Sequence, residues 1–212
     1  MLNNCKKQHK RINIRFYLYI CIVRVKDNAK RLAIIENTLD IVFEKGFAGI
    51  KMADLAKRVG ISPSTLYVYY KSKEELVVSV FKELIKHKTA QSEKDIAKDL
   101  PYKLKLKALW LYWINVSINQ SKEMNYINQI KQSPYYDLVP DDIKDIGYSV
   151  GFDLFDLGKS EGLIKNVDNE ILATIMKALL MQTVTMIADN RISLDKKNSD
   201  LMFSFLWDAI KS

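Results

Sequence analysis

The sequence predicts an all-α protein in which a small N-terminal head of three helices is joined to a larger helical bundle. Only 7 glycines and 4 prolines occur among 212 residues, fewer than a β-sandwich or a glycine-looped nucleotide fold needs for its turns. Apolar residues recur every three to four positions along most of the chain, and no long stretch alternates as half-buried strands do. Helices are therefore expected throughout.

The first 25 residues show neither a helical period nor capping residues, so we predict a poorly specified leader over residues 1–25. An incorrectly assigned translation start is one interpretation of this segment. Its apolar residues 16–23 are too few to span a bilayer, which needs about 20 residues, and no signal-peptide cleavage site follows them. No other segment is expected to span a membrane. Because Cys5 and Cys21 lack the spacing of a zinc site or a disulfide framework, we expect a cytoplasmic protein.

Helix one is expected over residues 28–45, with Asp27 as its N-cap and Gly46 as its C-terminal stop. Its apolar residues define one helical face. They are Leu32, Ile35, Leu39, Val42 and Phe43.

Helices two and three are short and are separated by a glycine turn. Helix two covers residues 52–59 and closes at Gly60. Helix three has Ser62 as its N-cap and Pro63 at its first position, and it runs to about Tyr70. Two such helices in succession predict a helix-turn-helix.

The outward face of helix three has side chains that suit DNA. Leu66 and Tyr70 are four residues apart and should face inward, which turns the other side chains toward solvent. Ser and Thr hydroxyls can meet base edges or phosphates, and Tyr hydroxyls can bond phosphates. Residues 1–73 hold 15 Lys and Arg against 5 Asp and Glu, whereas residues 74–212 hold 18 against 20. A basic head therefore favours a nucleic-acid partner.

Three stretches carry a resemblance to a known family. They are F-E-K-G-F, A-D-L-A-K-R-V-G-I-S and S-T-L-Y-V-Y-Y-K-S-K-E-E-L, all between residues 43 and 76. They resemble the DNA-binding region of the TetR/AcrR-type repressors. The resemblance implies a helix-turn-helix DNA-binding domain over residues 26–73, in which Thr65, Tyr67 and Tyr69 contact DNA. It also implies that Lys71 and Lys73 hold phosphates.

Lys51 departs from the family pattern, in which Thr or Ser precedes helix two, caps it and bonds a phosphate. The Lys51 ammonium can still reach a phosphate, but loss of a side-chain cap costs ~1 kcal/mol. The predicted DNA-contact set is Lys51, Pro63, Ser64, Thr65, Tyr67, Tyr69, Lys71 and Lys73. The alternative is that helix three is simply packed and its tyrosines cover their neighbours. For Lys57 and Arg58, a solvated helix face is as well supported as phosphate contact.

The remaining chain predicts a helical bundle. A fourth helix is expected from Lys73, where Ser72 and Glu75 form a capping box. Five further helices are expected at residues 102–119, 122–132, 141–161, 168–190 and 196–211. The resemblance implies that residues 74–212 form a ligand-binding and dimerisation domain.

The bundle is rich in aromatic and Met side chains, which adapt to varied apolar molecules. The resemblance implies that helices five to eight enclose an effector pocket opening toward helix four. We expect Trp113, Tyr126, Phe152 and Met176 to form its wall. The expected effector is a small apolar or aromatic molecule.

The last helix is apolar on more than one face, which implies burial on more than one side. We predict a dimer interface that includes Leu201, Phe205, Leu206 and Ile210. In the family, the last two helices of each subunit form a four-helix seam, and a two-fold dimer predicts a palindromic operator. A monomer that hides both faces within its own bundle is the alternative.

Together these patterns predict a ligand-responsive regulator that binds double-stranded DNA, with a repressor released from its operator as the favoured form. The only histidines are His9 and His87, and no catalytic motif is visible, so no enzyme activity, cofactor or metal is expected. Asp141, Asp142 and Asp145 suit the start of a helix rather than a metal site. The alternative is a helical small-molecule-binding or scaffold protein without DNA-binding activity.

Overall fold

The computed structural model describes residues 14–96 and 99–212, and within them the chain forms ten α-helices with one isolated β-bridge, between Ile164 and Lys211. The all-α prediction is confirmed. The helices are α1 Ile14–Lys45, α2 Met52–Val59, α3 Pro63–Tyr69, α4 Lys73–Asp95, α5 Tyr102–Asn119, α6 Ser121–Lys131, α7 Asp141–Ile146, α8 Ser149–Ser160, α9 Asn169–Ala188 and α10 Lys196–Ile210. Short 3-10 segments, Phe47–Gly49 and Pro134–Leu138, follow α1 and α6.

Helix α1 begins at Ile14, so the predicted start at residue 28 is wrong. Residues 1–45 contain neither glycine nor proline, and each residue added to an existing helix gains a backbone hydrogen bond. Asp27 is not an N-cap. Its carboxylate instead accepts a hydrogen bond from the Tyr69 hydroxyl of α3. Residues 1–13 of the predicted leader lie outside the described residues.

The single helix predicted over residues 141–161 is also wrong, because α7 ends at Ile146 and α8 begins at Ser149. The carbonyl oxygen of Ile146 accepts hydroxyl donors from Thr89, at 3.2 Å, and Ser149, at 3.0 Å. Thr89 belongs to α4, so a tertiary contact helps to end α7. The other predicted body helices agree with the structure to within two residues, the usual uncertainty of helix ends.

Two clusters of buried residues stabilise the fold. The first packs α1, α2 and α3 against α4, α6 and α7, with Val42, Leu66 and Phe81 near its centre. The second lies among α5, α8, α9 and α10, where Trp110 and Phe155 are buried. Helix α4 contacts α5, α6, α7 and α8. It therefore connects the head to both parts of the bundle.

Helix α9 corrects the prediction that no further segment resembles a membrane span. By length and composition alone, Asn169–Ala188 could cross a membrane, with a mean hydropathy of 1.7 over its most apolar window. Only 17% of that window is buried within the protomer. A very apolar helix with so little coverage has apolar surface available for a partner.

Candidate DNA-binding surface and effector region

The turn between α2 and α3 has the geometry that the sequence predicts. Gly60 adopts φ 75° and ψ 32°, a left-handed conformation that glycine adopts without steric penalty. The Ser62 hydroxyl accepts the backbone N–H of Thr65 at 3.1 Å and so caps α3. Leu66 and Tyr70 are buried against α1 and α2, which confirms their predicted inward orientation. The outward face of α3 is therefore fixed by the packing of its inward face.

That outward face presents polar, aromatic and apolar groups together. Tyr67 is 49% exposed and Val68 83% exposed, and Pro63 and Ser64 at the start of α3 are also exposed. Thr65 is half-buried, and its hydroxyl lies 2.8 Å from the Ser62 hydroxyl. Of the four predicted DNA contacts on this face, Pro63, Ser64 and Tyr67 are open to a partner, whereas Thr65 also supports the cap of α3.

Tyr69 differs from the prediction. Its side chain is half-buried against the first core, and its hydroxyl donates to Asp27 of α1. This hydrogen bond, together with burial, raises the pKa of Tyr69 to about 12. The predicted orientation toward solvent is therefore corrected, because the Tyr69 hydroxyl is bonded to α1, while its contact with DNA stays a prediction.

The three predicted phosphate-binding lysines lie in different environments. Lys51 is the N-cap of α2 and is exposed, and α2 has no side-chain cap hydrogen bond. Lys71 is exposed beside the Ser72 cap of α4. Lys73 is half-buried, with its ammonium 6.0 Å from the ring centroid of Tyr135. Lys51 and Lys71 are therefore the more accessible cations.

The capping box predicted at the start of α4 is present in a shifted form, in which the Glu75 side chain bonds the residue before the N-cap. The Glu75 backbone N–H donates to the Ser72 hydroxyl at 3.1 Å. The Glu75 carboxylate in turn accepts the backbone N–H of Lys71 at 2.7 Å. These bonds fix the junction between the head and α4.

Lys57 and Arg58 are the two cations for which phosphate contact and a solvated helix face are equally well supported. Arg58 lies 3.5 Å from the Glu44 carboxylate of α1, and Lys57 is exposed.

The predicted wall of the effector pocket is divided between the two cores. Trp113, Phe152 and Met176 are half-buried against the second cluster. Tyr126 belongs instead to the first cluster, where it is fully buried and its hydroxyl donates to the Val77 carbonyl at 2.8 Å. The prediction that Tyr126 lines the same pocket as the other three is wrong. A buried hydroxyl needs a partner, and here the backbone of α4 accepts its hydrogen bond.

Sequence reasoning missed a cleft of about 390 Å³ between the second half of α4 and α5. None of the four predicted wall residues lines it. Its polar lining side chains are His87, Gln91, Tyr112, Asn115, Asn119 and Gln120. The spacing of polar residues in the sequence could have indicated this cleft. His87 and Gln91 are four residues apart and share a face of α4, and Asn115 and Asn119 share a face of α5 in the same way.

The predicted dimer residues lie on two sides of α10. Leu201 is 50% exposed and Phe205 53% exposed, whereas Leu206 and Ile210 are buried in the second core. Leu206 and Ile210 are therefore corrected to core residues of the protomer. Exposed Ile171 on α9 adds to the apolar surface that the sequence analysis did not single out.

The Asp141–Asp145 cluster lies on α7, where Asp141 is 3.0 Å from the ammonium of Lys144. Within residues 14–96 and 99–212, no group of three or more His, Cys, Asp or Glu side chains is arranged to hold a metal ion.

Helix α3 is capped, exposes one face and belongs to a basic head that is followed by a helical bundle. This arrangement defines the helix-turn-helix class of all-helical proteins. Residues 34–80 match the family model described as bacterial regulatory proteins, tetR family. The match covers the head and the start of α4, and this part of the chain is similar to that family.

A relative and two solved structures are also similar to this chain. The fatty acid metabolism regulator protein of Bacillus subtilis (strain 168) is 31% identical over 77 residues, which are 36% of this chain. The match spans only 40% of that relative's length. A TetR family transcription regulator from Marinobacter aquaeolei VT8 is 25% identical with a TM-score of 0.79, covering 89% of this chain and 99% of that one.

FadR from Bacillus subtilis, solved in complex with stearoyl-CoA, superposes with a TM-score of 0.69 at 20% identity. The superposition covers 83% of this chain and 97% of FadR. At this identity the likeness shows the shared fold.

Proposed function

We propose that this chain is a dimeric, ligand-responsive transcription regulator, a repressor that binds a palindromic double-stranded DNA operator and is released by a small apolar or aromatic effector. Residues 26–73 form its DNA-binding domain, and residues 74–212 its ligand-binding and dimerisation domain. The family match supports the class of function. The observation that carries the DNA-binding proposal is the exposed Tyr67 and Val68 face of α3 in a basic head.

Phosphate and base contacts have different sources in this proposal. Lys51, Lys71 and Lys73 neutralise phosphates, which gives affinity without sequence preference. Pro63, Ser64, Thr65 and Tyr67, near the start of α3, meet base edges in the major groove. Tyr69 also orients α3 through its hydrogen bond to Asp27.

The dimer forms through the outer faces of α9 and α10. Phe205, Leu201 and Ile171 present apolar surface that no other part of the described chain covers. Burying such groups against a second copy gains about 25 cal/mol per Å² of apolar surface. A two-fold axis between these helices places two copies of α3 on successive major grooves of a palindrome.

The apolar effector is proposed to enter the half-buried cluster of Trp113, Phe152 and Met176. Stearoyl-CoA, the ligand in the B. subtilis FadR structure, supports an effector with an apolar portion. Ligand binding moves α4, which links the bundle to the head, and changes the separation of the two α3 helices. A 100-fold loss of operator affinity requires ~2.8 kcal/mol of coupling. A DNA-binding regulator of this kind works in the cytoplasm, without a membrane or a cofactor.

Fluorescence anisotropy over a salt series tests the DNA-binding proposal. The DNA upstream of the gene is compared with a scrambled duplex, using the wild type, Tyr67→Ala and Phe43→Ala. Phe43 is a matched control because it is also 49% exposed but lies on α1. We expect Tyr67→Ala to weaken specific binding about 10-fold to 100-fold, or about 1.4–2.8 kcal/mol, and Phe43→Ala to leave it unchanged.

Equal and weak binding of the wild type to both duplexes, followed by an empty genome-wide DNA pull-down, would contradict this function. The helical small-molecule-binding or scaffold protein would then be the better interpretation.

A further inference from the structure

The cleft between α4 and α5 has a chemistry unlike that of the apolar cluster assigned to the effector above. Four amide side chains face it: Gln91 from α4, Asn115 and Asn119 from α5, and Gln120 just after α5. Leu111 and Val116 add apolar surface. Each amide places a donor NH₂ beside an acceptor oxygen, so the lining can both donate and accept hydrogen bonds.

Among the described residues that line the cleft, none is Lys, Arg, Asp or Glu. Apart from the imidazole of His87, the lining offers a charged ligand no group of opposite charge to offset its lost hydration. Hydroxyl groups, which both donate and accept, match paired amide groups without any charge. The lining therefore selects for a neutral, hydroxyl-rich molecule.

The cleft also suits such a molecule in size and shape. Its volume of about 390 Å³ lies near the lower end of the ~300–1,000 Å³ range of small-molecule sites. The ring of Tyr112, with Leu111 and Val116, offers an apolar surface against the C–H face of a sugar ring. We infer that this cleft binds a neutral, hydroxyl-rich molecule of monosaccharide size, a second ligand distinct from the apolar effector.

A partly buried ion pair between α4 and α6 lies beside the cleft. Lys88 of α4 is only 1% exposed, and its ammonium donates to the Gln120 side chain and to the Glu123 carboxylate of α6. Gln120 is thus shared between the cleft and the buried lysine. A ligand hydroxyl that bonds Gln120 competes with Lys88 for the same oxygen, and this changes how α4 is held. Regulation of DNA binding through this link rests on the proposed function, whereas ligand binding itself does not.

Isothermal titration calorimetry on the full chain, without DNA, tests the binding site. The probes are glucose, galactose, ribose and inositol, together with the matching sugar phosphates and amino sugars. Calorimetry is chosen because sugars raise melting temperatures by exclusion from the protein surface, with or without a site. We expect saturable binding of at least one neutral probe, about 10-fold tighter than its charged analogues. No saturable binding by any neutral probe at up to about 10 mM overturns the inference.

Variants on the rim of the cleft assign the site. Asn115 and Asn119 are exposed, so Leu at both positions removes amides from the lining without burying a new group. The double variant Asn115→Leu/Asn119→Leu should bind the probe at least ~10-fold more weakly. Gln132→Leu, which removes an exposed amide at the end of α6, is the matched control and should bind as the wild type does. Equal affinity of the double variant and the control overturns the site.

Lys88→Met separates binding from coupling. This variant keeps the cleft residues, so the sugar should still bind, but it should no longer change operator affinity. If the wild type binds no DNA, the proposed function fails while the calorimetric result stands by itself. If the sugar still shifts operator affinity in Lys88→Met, the coupling route through Gln120 is wrong.

Discussion

The head and the body expose different surfaces. In the head, the most exposed large side chains of α3, Tyr67 and Val68, lie among hydroxyls and lysines. In the body, exposed Leu201, Phe205 and Ile171 lie on two long, apolar helices. A polar and cationic surface suits DNA, whereas an exposed apolar surface suits a second copy of the chain. One fold thus presents two surfaces of opposite character.

The largest expected effect is loss of the dimer when charge is placed on the exposed apolar surface of the body. In Leu201→Asp/Phe205→Asp, dimerisation would bury four carboxylates without partners, which costs several kcal/mol. We expect size-exclusion chromatography with light scattering to change from dimer to monomer. Leu138→Asp is the matched control, because Leu138 is 54% exposed but lies outside α9 and α10. A double variant that stays dimeric would place the interface elsewhere.

A smaller effect, on the free energy of unfolding, is expected from a substitution at the start of α2 in the head. Lys51 has the extended backbone of an N-cap, with φ −118° and ψ 121°, but it supplies no side-chain hydrogen bond. Lys51→Ser should therefore raise the free energy of unfolding by about 0.5–1 kcal/mol in urea titrations. Lys51→Ala removes the same charge without adding a hydroxyl, and an equal gain in that variant would disprove the capping explanation.

The smallest effect is expected at the bond between α3 and α1. The hydrogen bond between the Tyr69 hydroxyl and Asp27, together with burial, raises the pKa of Tyr69 to about 12, above the ordinary value of 10.0. Because the folded state holds this proton more tightly, the contribution to stability is complete below pH 10 and is lost as the pH rises toward about 12. Asp27→Ala should lower the Tyr69 pKa, as measured by NMR of labelled tyrosine.

Asp137→Ala is the control for that measurement, since it removes an exposed carboxylate outside the head. An unchanged Tyr69 pKa in Asp27→Ala would show that the hydrogen bond is not its main cause.

Local signals predicted the head better than the body. Gly60, the Ser62 cap and the Ser72 capping box act within a few residues, and all three are present in the structure. Even in the head, helical spacing predicts that Tyr69 faces solvent, whereas its side chain is half-buried. Helical spacing alone could not reveal that Asp27, 42 residues away in sequence, accepts its hydroxyl.

The body depended more on tertiary contacts. The end of α7 is set partly by Thr89 of α4, and Tyr126 lies in the core that includes the head because its hydroxyl reaches Val77. The predicted boundary between residues 73 and 74 coincides with the start of α4, yet the first core crosses it. An apolar residue in the sequence does not reveal which of two cores will bury it.

The sequence by itself determined the helical class, the helix-turn-helix and most helix limits, because caps, glycine turns and a 3.6-residue period act over short distances. Only the tertiary structure decided that Leu206 and Ile210 belong to the core while Leu201 and Phe205 remain exposed, and that four amides meet at one cleft. The physical reason is that α10 is apolar on several faces. Which face is buried depends on the neighbouring helices that pack against it, and those neighbours are distant in sequence.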